Sequence, residues 1–578
     1  MRTSALFRHL TILSAVLALT GCSRPKHPIP TAGGAIARPS ASAVAEWNGN
    51  KFSMFIHFGL YSLAGGVWNS EEIHKGYSEQ IRAHAPIPRE DYRKLARQFN
   101  PKNWNPDSVA TLATAAGMRS VVITAKHHDG FAMFETEESD FNIVDATPYK
   151  RDIIGELAEA CRRKGLKFGV YFSLIDWDVE GASPISDHNS DSIPPSHHQL
   201  NLRQVEELLT NYGPISEIWF DMGKPTAKQS QEIAKLVRKL QPDCMISGRL
   251  WHDQGDFAVM GDNASPDFRM GTLWQTPASM YDETWGYRSW QIRKDSLAKA
   301  SEKIAALVRV VTNGGNYLLN IGPKGDGSIV PFERSVLKFM GQWMATNGSA
   351  IYRTAPLYLQ PQGWGNATVS AGTINLFLLK PPADGIVPVR GLTSKIKRAR
   401  LLSDTTRILT VRTTAQGQVI DAGKSVSQSS TVQVINLTID GPPDFIPNGV
   451  IKAEDDAFVL NDVNATRYHS FSGKDYYSTK PTVIRLEWAV QAEEEGIFQV
   501  RIRFRKEDKG KNIRITGSGP GFEILLAGQA GQDDDTPEVV YPDFYLQKGT
   551  NRISLTLADQ SNLHRDIGME GIKLVLQR

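Results

Sequence analysis

The chain is 578 residues long, 41% hydrophobic and 22% charged, with Lys+Arg 65 against Asp+Glu 62 and a formal net charge of +3. That length outgrows a single core and predicts several domains, with the composition of a soluble globular protein. The near-even charge balance, with no basic run interleaved with aromatics, excludes a nucleic-acid-binding footprint.

The first element is an address. "MRTSALFRHLTILSAVLALTGC" carries Arg2 and Arg8 ahead of an apolar stretch too short to remain as a transmembrane helix. Leu19, Thr20, Gly21 and Cys22 resemble a bacterial lipobox, which implies cleavage before Cys22 and lipidation of that residue, leaving a protein held on a membrane from the periplasmic side. Residues 1–22 are therefore read as a lipoprotein signal peptide, and 23–45, rich in Pro, Ala, Gly and Ser, as a flexible tether. Cys161 and Cys244 lie in apolar surroundings and read as buried unpaired thiols, so no disulfide framework and no cysteine metal cluster is expected.

From 46 to 350 apolar runs alternate with helical patterns. Strands are expected at 53–58, 120–125, 167–173, 217–221, 244–248 and 317–322, and helices at 152–164, 200–212, 227–240 and 294–312. Such alternation implies parallel strands joined by crossovers over a length suited to a (β/α)8-like barrel; a doubly wound sheet is disfavoured because no GxGxxG or phosphate loop follows the first strand. A last amphipathic helix is expected at 335–347. Short alternating strands then predict an antiparallel β-sandwich over 351–445, closed by the "DGPPDF" linker. A further β-rich, jelly-roll-like domain is expected over 446–578, where "KAEDDA" and the strand rhythm resemble carbohydrate-binding modules and equally suit a structural sandwich.

In a barrel the strand C-termini converge on one face, so what ends each apolar run matters. Here the runs end in His57, in His127 and His128, in Tyr171 with Asp176 and Trp177 beyond, in Asp221, in Arg249 and in Asn320. "SVVITAKHHDGF" poses the question most sharply, because a buried strand passes straight into Lys126, two histidines and Asp129 before Gly130. Adjacent strand residues point to opposite faces, and no HExxH or cysteine pair accompanies the histidines, so zinc is disfavoured. Asp221 leaves a strand directly after Ile218, Trp219 and Phe220, a setting in which a carboxylate can serve as a nucleophile; the alternative is an N-cap for the next helix, which Gly223 and Pro225 delay.

Taken together and in order, "FIHFG", "AKHHDGF", "FGVYFSLIDW", "IWFDMG", "TWGYRSW" and "GGNYLLNIGPKGDGSIVP" resemble the alpha-L-fucosidases of glycoside hydrolase family 29. The resemblance implies an exo-acting retaining hydrolase of terminal alpha-L-fucose, a fucosylated glycan substrate, and no metal or organic cofactor. It implies Asp221 as nucleophile and His57, Glu79, His127, His128, Tyr171, Arg249 and Trp285 as sugar contacts. Alignment places Asp262 at the acid/base position, with Glu283 as reserve and an Asx-turn beside Asn263 as the bland alternative. Two departures stand out: Gln275 occupies a position normally Glu, and Gln80 one normally Trp. They leave open a fucose-binding protein on the same barrel with little or no turnover.

Overall fold

The computed structural model describes residues 36–578, apart from 180–181, 183–184, 186–190, 265–268, 415–416, 447–448, 471–481, 505–509, 518–521, 526–538, 559–568 and 577–578. The expected signal peptide, Cys22 and most of the expected tether fall outside the described residues. The tether's last residues do not run free. Helix α1 (Ala41–Asn50) starts inside that segment, capped by Ser40, whose backbone N–H reaches Asp243 at 2.9 Å. Arg38 reaches the carbonyl of Gly255 at 2.8 Å. Trp47 anchors this helix: its ring stacks on Phe257 at 4.4 Å and its indole N–H donates to Glu217 at 3.0 Å, plugging the barrel interior.

Eight parallel strands form the barrel: β1 (Phe52–Ile56), β2 (Ser120–Lys126), β3 (Lys167–Ser173), β4 (Glu217–Asp221), β5 (Met245–Ile246), β6 (Ala258–Val259), β7 (Trp274–Ala278) and β8 (Asn316–Ile321). Their hydrogen-bonded order is β5-β4-β3-β2-β1-β8-β7-β6, and a parallel bridge between Ser247 and Phe257 joins β5 to β6 and closes the ring. Strands such as β1 and β2 are buried at every position, as parallel strands covered on both faces must be, which is why they read as continuous apolar runs. Inside the ring Phe55, Val122, Tyr171, Trp219, Met245, Phe257 and Leu318 fill the lumen, so it is packed rather than hollow.

Helices α2 (Pro106–Ala115), α3 (Ile153–Arg163), α4 (Pro195–Asn211), α5 (Ala227–Leu240), α6 (Ser296–Thr312) and α7 (Pro331–Asn347) cover the outside. The cap of α3 is Asp152, and that of α5 is Thr226, which forms a capping box with Gln229; Asp221 is thereby freed from the capping role. The expected strict alternation fails in one sector. Only a 3₁₀ turn, Gly248–Leu250, lies between β5 and β6, and among the described residues no helix lies between β6 and β7.

Beyond the barrel an eight-stranded antiparallel assembly is built from β9 (Ala355–Leu357), β10 (Gly365–Ser370), β11 (Thr373–Leu378), β12 (Ile386–Val389), β13 (Ile396–Leu401), β14 (Asp404–Thr414), β15 (Gly417–Asp421) and β16 (Gln433–Ile439). It encloses its own core around Ile374, Leu376, Val387, Ile420, Ile435 and Leu437. A third region stacks two further sheets over Phe458, Leu486, Trp488, Val500, Ile513, Ile553 and Ile572. One sheet holds β17 (Ala457–Leu460), β20 (Gly496–Phe504), β23 (Val539–Leu546) and β25 (Met569–Leu576); the other holds β18 (Thr466–Ser470), β19 (Thr482–Ala492), β21 (Asn512–Thr516), β22 (Phe522–Leu525) and β24 (Gly549–Leu557). The edge of this second sheet is completed by Arg269–Met270, which comes from the barrel. No described helix is long and apolar enough to cross a membrane.

Candidate active site

The C-terminal ends of the strands converge on a cavity of about 170 Å³, lined by Phe55, His57, Tyr77, Glu79, Gln80, His127, His128, Tyr171, Trp219, Asp221, Met222, Arg249, Asp262, Pro277 and Trp285. Every sugar contact and both carboxylates carried over from the resemblance are in this set; Glu283 is not. It is exposed on the outer side of the turn that buries Thr284 and Trp285, so the reserve acid lies off the site. Asn320 supports the lining from beneath.

The histidines correct one expectation. Strand β2 ends at Lys126, so His127 and His128 lie in the turn beyond it, outside the two-residue alternation, and both rings line the cavity with centroids 3.8 Å apart. Gly130 permits that turn: its φ is +83°, and a Cβ there would sit 2.1 Å from Asp176 Oδ1. Lys126 turns away to Asp176 and Asn201, at 3.5 and 3.2 Å. Among the described residues no three His, Cys, Asp or Glu side chains are grouped as a metal site.

Hydrogen bonds set the histidine tautomers. Asn320 donates its amide to the Trp285 carbonyl at 2.7 Å, so its Oδ1 accepts from His57 Nδ1–H at 2.7 Å. Ser173 donates to the Ile175 carbonyl and accepts from His128 Nδ1–H at 2.9 Å. Both rings thus keep Nε2 as an acceptor. Burial holds His57 down to about 3 and His128 to about 4, and pushes His127 well below its ordinary value. All three are neutral at ordinary pH. Glu79 is buried, which pushes its carboxyl up to about 7 although Oε2 accepts the backbone N–H groups of Trp285 and Gly286 at 3.2 and 2.8 Å.

Asp221 differs. Burial alone would raise its carboxyl, but the Arg249 charge, the neighbouring His128 and hydrogen bonds from Arg249 and Tyr171 outweigh that and hold it below the usual range. Oδ1 accepts from Arg249 Nη1 and Oδ2 from the Tyr171 hydroxyl, each at 2.8 Å. Arg249 Nη2 donates to Asp262 Oδ1, also at 2.8 Å, so one guanidinium bridges the two carboxylates. Trp219 lies beneath it, its ring 4.9 Å from the guanidinium carbon. Asp262 makes this ion pair, whereas the loop contacts belong to Asn263, which accepts from Ser279 N–H at 2.7 Å.

A sequence model of the Alpha-L-fucosidase family matches residues 36–349, more than half of the chain. The chain belongs to the alpha-L-fucosidase family. Among its relatives is the tissue alpha-L-fucosidase of Rattus norvegicus, 30% identical over 406 residues, 65% of this chain and 84% of the relative. A crystal structure of alpha-L-fucosidase from Vibrio sp. strain EJY3 is 28% identical with a TM-score of 0.65, covering 93% of this chain and 99% of that one. A Bacteroides thetaiotaomicron alpha-L-fucosidase, solved as a trapped covalent intermediate with 2-fluoro-fucosyl fluoride, is 25% identical with a TM-score of 0.63, covering 72% and 100%.

Against this family background, the two unusual glutamines take different places. Gln275 is fully buried in the barrel, accepting from Trp219 Nε1 at 2.7 Å and donating to Glu217 at 3.2 Å. It does not line the cavity, so its lack of charge removes no carboxylate from the site. Gln80 does line it and pairs with His84 at 3.2 Å. Sequence reasoning missed Tyr77, Ser173 and Trp219. Trp219 was detectable, since it stands two residues before Asp221 on the same face of β4.

Proposed function

We propose that the chain is a retaining, exo-acting alpha-L-fucosidase in which Asp221 is the nucleophile and Asp262 the acid/base. The observation that carries the reading is the pair of carboxylates held on the two nitrogens of Arg249 at a cavity below the ordinary range of drug-sized sites. Such a cavity suits one terminal sugar ring. Retaining glycosidases keep their carboxyl groups about 5 Å apart, and one guanidinium is a short bridge. In the first step Asp262 acts in its protonated form: Asp221 forms a bond to the anomeric carbon as the bond to the leaving oxygen breaks, and Asp262 gives that oxygen its proton, becoming the carboxylate. In the second, water attacks the anomeric carbon, Asp262 takes the water's proton, and the ester to Asp221 breaks. Neutral histidine acceptors suit sugar hydroxyls, and the faces of Phe55, Trp219 and Trp285 suit the methyl group of a 6-deoxy sugar.

Release of fucose from an aryl alpha-L-fucoside tests this, with aryl galactoside and xyloside as controls and NMR to follow the first-formed anomer. The alpha anomer is expected. Binding of fucose without release would replace the enzyme by the binding-protein reading.

The proposal extends to location: processing at "LTGC" and lipidation of Cys22 place the mature protein in the periplasm or on the outer membrane of a bacterium, where its membrane contact is the lipid. Cys22→Ala is expected to abolish metabolic palmitate labelling and free the protein from detergent-extracted membranes. Absence of label from the wild type would sink it.

A further inference from the structure

Asp262 is the least enclosed member of the carboxylate–arginine chain: its side chain is 31% exposed, against 13% for Asp221 and 6% for Arg249. Asp221 ends a barrel strand, whereas Asp262 sits on the crossover from β6 to β7, where no helix lies among the described residues. The backbone N–H and C=O groups of those described residues find their partners elsewhere. Its near end is held within the barrel, where Asn263 N–H donates to the Pro277 carbonyl at 3.0 Å and Thr276 Oγ1 donates to the Ala264 carbonyl at 3.0 Å.

The far end is held by another domain. Arg269 and Met270 pair in parallel with Tyr468 and His469 of β18. Gly271 N–H donates to the His469 carbonyl at 2.7 Å, and His469 Nδ1 donates to the Arg269 carbonyl at 3.3 Å. Arg269 lies 4.8 Å over the Tyr358 ring, and Tyr358 meets Tyr468 edge-on at 5.6 Å, so sandwich, barrel and C-terminal domain meet at this one segment. Met270 is buried against the barrel core. The approach is close: a Cβ on Gly271 would lie 2.6 Å from Ile484 Cδ1 and 3.1 Å from its Cγ1, so the Ile484 side chain would have to shift.

We propose that the C-terminal β domain is a positioning element of the active site: β18, by pairing with Arg269–Gly271, holds the crossover that presents Asp262, and so sets the proton-transfer step without touching the sugar. The proposal rests on Asp262 being the acid/base. A misplacement of about 1 Å in a reacting group can cost up to about 10²-fold, and a general acid contributes about 10²–10⁴-fold, so loosening this contact should matter chiefly where the leaving group needs a proton.

The test is Gly271→Val in the full chain, with rates counted per site titrated by a fluorinated fucoside that traps the nucleophile, so that unfolded protein does not enter. Expected is a loss of about tenfold or more in kcat/KM on alkyl or sugar fucosides, with kcat/KM on an activated dinitrophenyl fucoside within about twofold of wild type. Azide should raise turnover of the variant on the activated substrate. Adding Ile484→Ala makes room for the valine and should restore the wild-type ratio between the two substrates. Arg269→Ala, a milder loosening, should move the ratio in the same direction. If Asp262→Asn shows the leaving-group dependence while Gly271→Val and Arg269→Ala leave the ratio unchanged or lower both rates equally, the positioning role is overturned and the acid/base reading stands. If Asp262→Asn itself lacks that dependence, the acid/base reading fails and the positioning role falls with it.

Discussion

From β8 round to β4 the barrel wall consists of strands of five to seven residues, with helices packed outside. From β5 to β7 it consists of strands of two, two and five residues, joined by a 3₁₀ turn and by a crossover docked on the C-terminal domain. The first wall contributes Asp221, Tyr171, His57 and His128, each hydrogen-bonded to a buried partner, and His127, which packs against the rings of His128 and Tyr171. The second contributes Arg249 and Asp262. Under the proposed assignment, the nucleophile, Tyr171 and the three histidines stand on the wall of long strands, whereas Arg249 and the group assigned to move protons stand on the wall built from turns. A binding site needs one geometry, whereas an acid that becomes a base must serve two successive steps, so the division is physically reasonable.

Removing the proposed nucleophile breaks the comparison at its strongest point. Asp221→Gly should reduce hydrolysis on the order of 10⁴-fold or more while leaving fucose affinity largely intact, because the hydroxyl acceptors His57 and His128 are oriented by Asn320 and Ser173 rather than by Asp221. Loss of labelling by a 2-fluoro fucoside, read by intact-mass spectrometry, accompanies it. Turnover near wild type would take Asp221 out of its role. The same variant has an electrostatic consequence: Arg249, relieved of one partner, remains paired with Asp262.

Asp262→Asn sharpens the comparison, since it should spare bond formation and cripple proton transfer. On alkyl or sugar aglycones the loss is expected at about 10²–10⁴-fold, and much less on activated aryl fucosides, where hydrolysis of the glycosyl-enzyme becomes limiting and a burst appears. Azide needs no base and should restore turnover, giving a fucosyl azide of retained configuration. Glu283→Gln is the matched control, and its exposed position predicts wild-type kinetics on every substrate. A burst and azide rescue in that control, with Asp262→Asn behaving as wild type, would reverse the assignment.

The two walls were not equally legible. Strands 167–173 and 217–221 and the helix 227–240 have the bounds the apolar pattern predicts, because their burial on both faces or on one stripe is written as unbroken or periodic hydrophobicity. Neither β6 nor β7 was foreseen. Two residues carry no period, and "WQTPA" holds Gln275, Thr276 and Pro277, which a propensity reading demotes even though all five positions are buried. The site residues at strand ends were accessible because a polar residue after an apolar run is visible locally. That His127 and His128 share a face was not, since it depends on where β2 stops. Nor does any local pattern reveal that Arg269–Met270 belongs to a sheet whose other strands lie about two hundred residues later.

Gln275→Glu offers the finest test, because it restores the residue type usual at that position without placing it in the cavity. Its side chain is buried beside Glu217, whose carboxyl burial already pushes up to about 7 despite hydrogen bonds from Trp47 and Gln275. The substitution replaces an amide donor with a second carboxyl group, and two such groups in a dry interior cannot both ionise cheaply. Protonated carboxyls in the folded state against ionised ones in the unfolded state mean that the folded form binds more protons between about pH 4.5 and 7, so stability is greatest below that window and falls as pH rises through it. The expected cost at neutral pH is about 1–3 kcal/mol, smaller at pH 5 and larger at pH 8, measured as the shift in urea midpoint at each pH. Activity per folded site should stay within about threefold of wild type, less than ~1 kcal/mol, because the carboxylates on Arg249 are untouched. The doubly substituted protein carrying Asp262→Asn as well should still require azide. Should Gln275→Glu instead rescue Asp262→Asn, a carboxylate at 275 reaches the leaving oxygen, and the acid belongs to the wall of β7 rather than to the crossover before it.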